Sequence, residues 1–379
     1  MFIVALFLWG IAAWWGLACM NLAANWLLLP RLSRMGCSEP PPSLSVVIPA
    51  RDEERDIGAA VTSHCTQDYP GLRVVVVDDR STDGTRAILD RLAQRYESLE
   101  VVDGREPPRG WLGKPHAIML GLDHVRSDLV LVVDADVRMD PGVLHRAAGE
   151  MVRHDLDCLL MIPELEGRGL EPMVMSFWPA LLLYIAPSYL MNLPALKFLA
   201  TGAPSGLLVR REALEAAGGM AAIAMEIPND AALGKLMKRY RGRYRVVLAM
   251  DCVRVRMYRG LRECVKGFTK NCYRFYLGNP VLALAAKVGD LSVHCLPLLA
   301  VAGALIFPAL RPIAAPGAIA LTAGVICNAL SGLKGRQALW TALVFPLRSV
   351  LWTYILLLSV RQYYGRGIEW RGRRYGRIK

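Results

Sequence analysis

The chain is poor in the residues that several large protein classes require. Nine cysteines are spread over 379 residues, and no two form a C-x-x-C pair. A disulfide scaffold, a zinc ribbon and a thioredoxin-type redox motif therefore lose their main support. The cysteines read as reduced, mostly buried thiols. The six histidines show no ligand spacing with the cysteines or with one another, which argues against a zinc site. There is no Walker-type Gly-rich loop and no G-x-G-x-x-G turn, so a P-loop ATPase and a Rossmann dehydrogenase are disfavoured. Internal repeats and low-complexity tracts are missing as well.

Charge is what residues 1–30 lack altogether, although the whole chain carries a net +12. A hydrocarbon core needs roughly 20 apolar residues of helix, and this run supplies them. A cleaved signal peptide fits less well. There is no basic leading region, the apolar run is too long, and Gly16-Leu17-Ala18-Cys19 is a poor lipobox. An uncleaved anchor is expected, with Arg31 and Arg34 marking its cytoplasmic end. Asn21 and Asn25 lie one helical turn apart and could bond another helix, or simply sit at the interfacial end of the span. The chain turns apolar again beyond about residue 280, with candidate spans at 291–310, 313–332 and 338–360. Three spans conflict with the tail 361–379, whose seven Lys/Arg against one Glu belong on the cytoplasmic side. Pro346 and Arg348 make a re-entrant or interfacial last segment the expected resolution.

Between these ends, after a stiff Glu39-Pro40-Pro41-Pro42 linker, residues 43–275 read as an α/β domain. Leu44–Ile48, Val74–Val77 and Leu129–Val133 are β-branched runs suited to strands buried on both faces. Helical stretches near 53–66, 84–96 and 141–153 follow them, so a mostly parallel, doubly wound sheet is expected. Two acidic clusters terminate two of these strands. Asp78-Asp79 opens the segment to Thr85, and ligands of open α/β sheets bind at such carboxyl ends. Adjacent carboxylates there can accept bonds from a base N–H or ribose hydroxyls, while Ser81 or Asp83 can cap the following helix. The second cluster, Asp134-Ala135-Asp136, is a D-x-D. Its hard oxygens suit Mg²⁺ or Mn²⁺, which also bind diphosphate.

Together, Ser45-Val46-Val47-Ile48-Pro49-Ala50-Arg51-Asp52-Glu53-Glu54, the DDRSTDGT segment and the DAD segment resemble the family 2 glycosyltransferases of GT-A fold, over about residues 43–275. Gly110-Trp111-Leu112-Gly113-Lys114 and Gly267-Phe268-Thr269-Lys270-Asn271 are similar to segments of the membrane-bound, hopanoid-associated and carotenoid-glycosylating members. The resemblance implies that Pro49, Ala50, Arg51 and Glu53 line a nucleotide pocket and that Asp78 or Asp79 contacts the base, uracil being the usual expectation. It implies that Lys114 approaches the nucleotide or its diphosphate, that Asp134 helps to hold the nucleotide-sugar, and that Asp136, with Asp134, meets a Mn or Mg cation. Asp230 matches the base of an inverting transferase. Glu226 is a weaker substitute, and Asn229 stands where the family has the first acid of an E-D pair.

No Q-x-x-R-W motif follows Asp230, which argues for a single sugar transfer and against polymerisation. Residues 172–200 are nearly uncharged and are broken by Pro179, Pro187 and Pro194, so they suit either an interfacial element or a buried core. Residues 254–274 contain seven Lys/Arg. Arg259, Arg262, Lys266 and Lys270 form a helical stripe suited to anionic headgroups. No nucleic-acid recognition motif accompanies this charge. The expected protein is an integral membrane enzyme of the bacterial inner membrane with its catalytic domain in the cytoplasm. It would transfer one sugar from a nucleotide-sugar, a UDP-sugar by the family's habit, to a membrane lipid in the bilayer. The rivals are a polyprenyl-phosphate or polysaccharide-directed transferase and, because of Asn229, a non-catalytic nucleotide-binding scaffold.

Overall fold

The computed structural model describes residues 1–37, 40–203 and 205–365, with the backbone of 368–370 and 373–375. Glu39 of the linker and most of the basic tail beyond 365 lie outside the described residues. Two compact units emerge: residues 29–165 with 189–257, and residues 1–28 with 166–188 and 258–379.

The first unit is built on a seven-stranded sheet. Its order is β3 (Leu99–Asp103), β2 (Arg73–Asp78), β1 (Leu44–Ala50), β4 (Leu129–Val132), β8 (Leu207–Arg210), β6 (Cys158–Ile162) and β9 (Tyr244–Leu248). β8 runs antiparallel to both neighbours, and every other pairing is parallel. Val74 to Val77 are fully buried, as expected for strands covered on both faces. Each such valine contributes about 1.5–3 kcal/mol of burial. The chain starts at β1, moves outward through β2 to β3, then returns to β4 on the other side of β1. That reversal opens a crevice at the carboxyl ends of β1 and β4.

Helices α2 (Ile57–Cys65), α3 (Thr85–Arg95), α4 (Gly113–Asp123) and α5 (Val143–Arg153) connect these strands. α4 packs hard against the sheet, since a Cβ on Gly121 would lie 2.5 Å from Val47 Cγ1. β5 (Val137–Met139), β10 (Val253–Val255) and β7 (Glu164–Leu165) form a small second sheet. Arg254 on β10 binds Asp140 with both terminal nitrogens, at 2.6 and 3.1 Å. It is therefore a structural ion-pair residue. α8 (Arg211–Ala216) and α9 (Asn229–Arg241) complete this unit.

The second unit contains α1 (Phe2–Leu28), the short α6 (Pro172–Met175) and α7 (Phe177–Ala180), α10 (Leu261–Thr269), α11 (Pro280–Ile306), α12 (Ala314–Lys334) and α13 (Phe345–Tyr364). Among the described residues, three stretches are long and apolar enough to cross a membrane: Phe2–Leu28, Pro280–Ile306 and Pro308–Lys334. The helix expected from 291 begins instead at Pro280, capped by the Asn279 side chain on the amides of Val281 and Leu282. Lys287 and Asp290 obscured that start, but they pair at 2.8 Å within the helix. Pro346 lies in the first turn of α13 and not mid-segment, where proline costs nothing. Arg348 is buried and donates to Ser176 Oγ, Tyr184 Oη and Asn328 Oδ1.

Asn21 and Asn25 do bond another segment. Asn21 donates to Tyr184 O at 2.9 Å, and Asn25 to Leu183 O and Ala186 O at 2.8 Å. They satisfy carbonyls released where the helix after α7 loosens into a π-turn over Leu181–Ile185. On α10, Cys264 and Phe268 are buried while Arg262 and Lys266 are exposed. The nine cysteines are all free thiols, five of them buried.

Candidate active site

Strand register places the two acidic clusters side by side. Ala50 pairs with Asp78, and Asp78 with Asp103. Val47 pairs with Val132, so Asp134 falls just past the end of β4, on the same edge as Pro49 and Ala50. All of these groups belong to the sheet-bearing unit.

The loops after β1 and β2 are laced together. Arg51 donates to Asp79 O at 2.8 Å. The amides of Asp52, Glu53 and Glu54 donate to Ser81 Oγ, Thr85 Oγ1 and Asp83 Oδ2. In return, the amides of Thr82 and Gly84 donate to the carboxylates of Asp52 and Glu54. This lacing explains why α2 begins at Ile57 and not near 53: the preceding residues are held in loop geometry. Asp83 accepts both the amide and the hydroxyl of Thr85, at 3.0 and 2.6 Å, so it anchors the first turn of α3. Burial raises its carboxyl, but the bonds from Thr85 and Glu54 outweigh this and hold it below the usual range.

Asp78 and Asp79 are both buried. Asp78 Oδ1 accepts the amide of Ser81 at 3.1 Å. Asp79 lies between Arg51 and Arg80, at 4.0 and 3.8 Å. Gly104, which sequence reasoning passed over, is required beside them. A Cβ there would come within 2.6 Å of Asp79 Cα. Its signal was a glycine directly after a short hydrophobic strand.

The second cluster has different electrostatics. Lys114, in the first turn of α4, binds Asp134 at 2.6 Å. Burial lowers the Lys114 ammonium, but Asp134, Asp230 and Asp136 more than offset this and hold it above its ordinary value. The resemblance-derived residues Lys114, Asp134, Asp136 and Asp230 therefore share one electrostatic neighbourhood. Asp136 is pushed well above the usual carboxylate range, by burial first and then by Asp134 and Glu53. Its buried Oδ1 has no hydrogen-bond partner. Asp230, in the first turn of α9, is also raised, by burial first, with Lys114 working against that rise. Glu226 is exposed.

Among the described residues, no group of three or more His, Cys, Asp or Glu side chains forms a complete metal cage. A buried carboxylate oxygen without a partner, close to a second carboxylate, nevertheless fits a cation of the Mg²⁺ type. Such ions are held by one or two carboxylates together with substrate phosphates.

The loop before β8 is squeezed between the cluster and α9. A Cβ on Gly206, whose φ is +88°, would lie 2.2 Å from Val132 O; one on Gly202 would lie 2.1 Å from Asp230 O. Both glycines are close-approach positions and more than ordinary turn residues. Leu112 N donates to Ala224 O at 2.9 Å, tying the start of α4 to the segment after Gly218-Gly219. His116 is buried and packs edge-on to Trp111.

Residues 45–218 match the family model described as Glycosyl transferase family 2. Over those residues, a little under half of its length, the chain is similar to glycosyltransferase family 2 domains. It is 40% identical over 119 residues to a beta-monoglucosyldiacylglycerol synthase of Synechocystis, covering 31% of this chain and 24% of the relative. It is 39% identical over 97 residues to a 4,4'-diaponeurosporenoate glycosyltransferase of Staphylococcus aureus, covering 25% of this chain and 24% of the relative. The chain thus spans about a quarter of the length of these curated relatives. A mannosyltransferase of Pyrobaculum calidifontis, solved with GDP-Man and Mn²⁺, shares the fold. The TM-score is 0.55 at 20% identity, covering 96% of this chain and 98% of that one. The matched residues therefore lie on a GT-A type sheet in a chain that also has apolar helices near both ends.

Proposed function

We propose that this protein is a membrane-anchored, inverting glycosyltransferase that moves one sugar from a nucleotide-sugar, a UDP-sugar by preference, to a membrane lipid. The observation that carries this reading is the meeting of Lys114, Asp134, Asp136 and Asp230 in one electrostatic neighbourhood at the switch point of the sheet. The lipid and carotenoid products in the relatives' names support a lipid acceptor.

The laced loops after β1 and β2 would hold the nucleoside: Pro49, Ala50, Arg51 and Glu53 line the pocket, and Asp78 or Asp79 accepts from the base or ribose. Asp136, with Asp134, would hold a divalent cation, which as a Lewis acid stabilises the departing diphosphate. Lys114 adds a fixed positive charge on the same side. Asp230 takes the proton from the acceptor hydroxyl as that oxygen bonds to the anomeric carbon and the bond to the diphosphate breaks. A carboxylate raised above its usual range is a stronger base for that proton than an exposed aspartate.

Three candidate spans suit the charge pattern of the chain. One precedes the family 2 domain and two follow it, so the domain and the basic tail fall on the same side. By the positive-inside rule that side is the cytoplasm.

The test is nucleoside diphosphate release by the full chain in nanodiscs. UDP-, GDP- and dTDP-sugars are screened with extracted bacterial lipid, in Mn²⁺, Mg²⁺ or EDTA. Lipid-stimulated release with one donor, lost in EDTA and in Asp136→Ala, is the expected result. Nucleotide binding without release from any donor would point to the scaffold reading.

A further inference from the structure

α9 carries Asp230 in its first turn and Lys238 two turns later. Lys238 is 0% exposed. Its ammonium donates to Met191 O at 2.7 Å and Leu193 O at 2.8 Å, and lies 5.5 Å from the centre of the Tyr244 ring. Among the described residues no carboxylate lies within ion-pair distance of Lys238. A buried cation without a counter-charge is costly to keep, and the donor chemistry above makes no use of it.

The carbonyls that Lys238 holds flank Asn192, whose amide pairs the edge strand β9. It accepts from Val246 N at 2.6 Å and donates to Val246 O at 3.1 Å. A Cβ on Gly242 would lie 2.9 Å from Pro194 O. At its other end the segment is fixed again. Tyr244 Oη donates to Thr201 O at 2.6 Å, and a Cβ on Gly234 would lie 2.1 Å from that same oxygen. Residues 191–202 thus form a strap touching α9 at both ends: Lys238 and Gly242 on one side, Gly234 and the Asp230 carbonyl on the other. Between these fastenings the strap presents Leu193, 48% exposed, and Phe198, 76% exposed, with Lys197 exposed beside them. Large apolar side chains next to a lysine, in a chain with three candidate spans, suit a lipid surface. The apolar groups meet acyl chains and the ammonium meets anionic headgroups.

We propose that residues 193–199 seat against membrane lipid and that Lys238 is the positioning residue that transmits this seating to the helix carrying Asp230. A shift of the strap must either carry α9 with it or break two charge-assisted bonds in a dry site. Lipid engagement and alignment of the base are then one mechanical event. The inference deepens the glycosyltransferase reading and rests on it for its kinetic part.

The experiment uses the full chain in nanodiscs of dioleoyl phosphatidylcholine and dioleoyl phosphatidylglycerol. It compares wild type, Lys238→Met, Lys238→Arg and Phe198→Trp. In Lys238→Met, amide hydrogen exchange should rise about fivefold or more in 191–201 and also in 229–234, while 44–50 and 113–123 stay at wild-type protection. The half-saturating amount of extracted bacterial lipid should rise about tenfold, because only the fraction with a seated strap binds lipid productively, with UDP affinity within about twofold of wild type. Lys238→Arg should recover at least half of each effect. Phe198→Trp should add emission that brominated lipid quenches beyond the wild-type background. Loosening of 191–201 with 229–234 unchanged would overturn the coupling, and so would a uniform rise in exchange across the sheet. Added emission in Phe198→Trp that brominated lipid leaves unquenched would overturn the lipid contact. If wild type releases no nucleotide with any lipid, the transferase reading fails by itself, and exchange and quenching still decide the strap.

Discussion

The two acidic strand ends of the sheet-bearing unit look alike in sequence and differ in physics. At the end of β2, Asp78 accepts a backbone amide and Asp79 lies between two guanidinium groups. Those charges are compensated before any ligand arrives. At the end of β4, Asp134 has Lys114, but Asp136 has a buried oxygen without a partner and is repelled by Asp134 and Glu53. The first site is a finished frame, bonded to its own loops. The second is an incomplete charge arrangement that a cation and a diphosphate would complete. Adjacent carboxylates are therefore informative only together with what neutralises them.

The sharpest way to break this comparison is to remove the uncompensated acid. Asp136→Ala should lower lipid-stimulated nucleotide release by about 10³-fold or more, since Lewis-acid stabilisation of a leaving group is worth several kcal/mol. The same change should abolish the rise in melting temperature that Mn²⁺ produces in the wild type. Equal loss in Asp78→Asn would show that the two ends are not different in kind.

Asp230→Asn should come next, lowering transfer to a hydroxyl acceptor by about 10²- to 10³-fold, within the range of general-base catalysis. Calorimetric affinity for the nucleoside diphosphate should be unchanged. Full turnover in this variant would favour an acceptor that is already an anion, such as a lipid phosphate, which has no proton to lose.

A smaller effect follows from the raised Asp136 carboxyl. Its folded value lies above its unfolded one, so it holds its proton at pH values where an unfolded chain has lost it. The stability it contributes is fully present below the ordinary aspartate range and is lost as pH rises through the raised value. Cation affinity runs the opposite way, because the ion competes for the same oxygen. Below the raised value, Mn²⁺ affinity should fall by about tenfold per pH unit. Titration calorimetry in two buffers of different ionisation enthalpy should record close to one proton released per cation. No proton release would mean that Asp136 does not meet the ion.

Three strands and their parallel pairing were legible because runs such as Val74–Val77 have only one good environment, a sheet covered on both faces. The acidic clusters were legible because they end those runs. What escaped the sequence depended on partners distant along the chain. α2 starts late because residues 52–54 bond to residues 81–85 across a loop. α11 starts early because Lys287 and Asp290 neutralise each other. Arg254 fell within a basic stretch and proved to be bound to Asp140, 114 residues earlier. Lys238 gave no signal, since a lysine near the end of a helix ordinarily faces solvent and only the strap 191–193 makes it a buried donor.

The smallest expected effect sharpens the comparison from the compensated side. Asp78→Asn keeps an oxygen for the Ser81 amide and removes only the charge. If the frame at β2 is complete before binding, the domain should remain folded and the cation affinity should stay at the wild-type value. What changes is the residual acceptor capacity towards the nucleoside. One hydrogen bond to a charged acceptor is worth about 1.5–3 kcal/mol against about 1 for a neutral one. The donor KM should therefore rise by roughly threefold to thirtyfold with kcat nearly constant, and discrimination between UDP- and GDP-sugars should narrow. A fall in kcat at unchanged KM would place Asp78 on the reacting side of the site, and the two strand ends would then share one role.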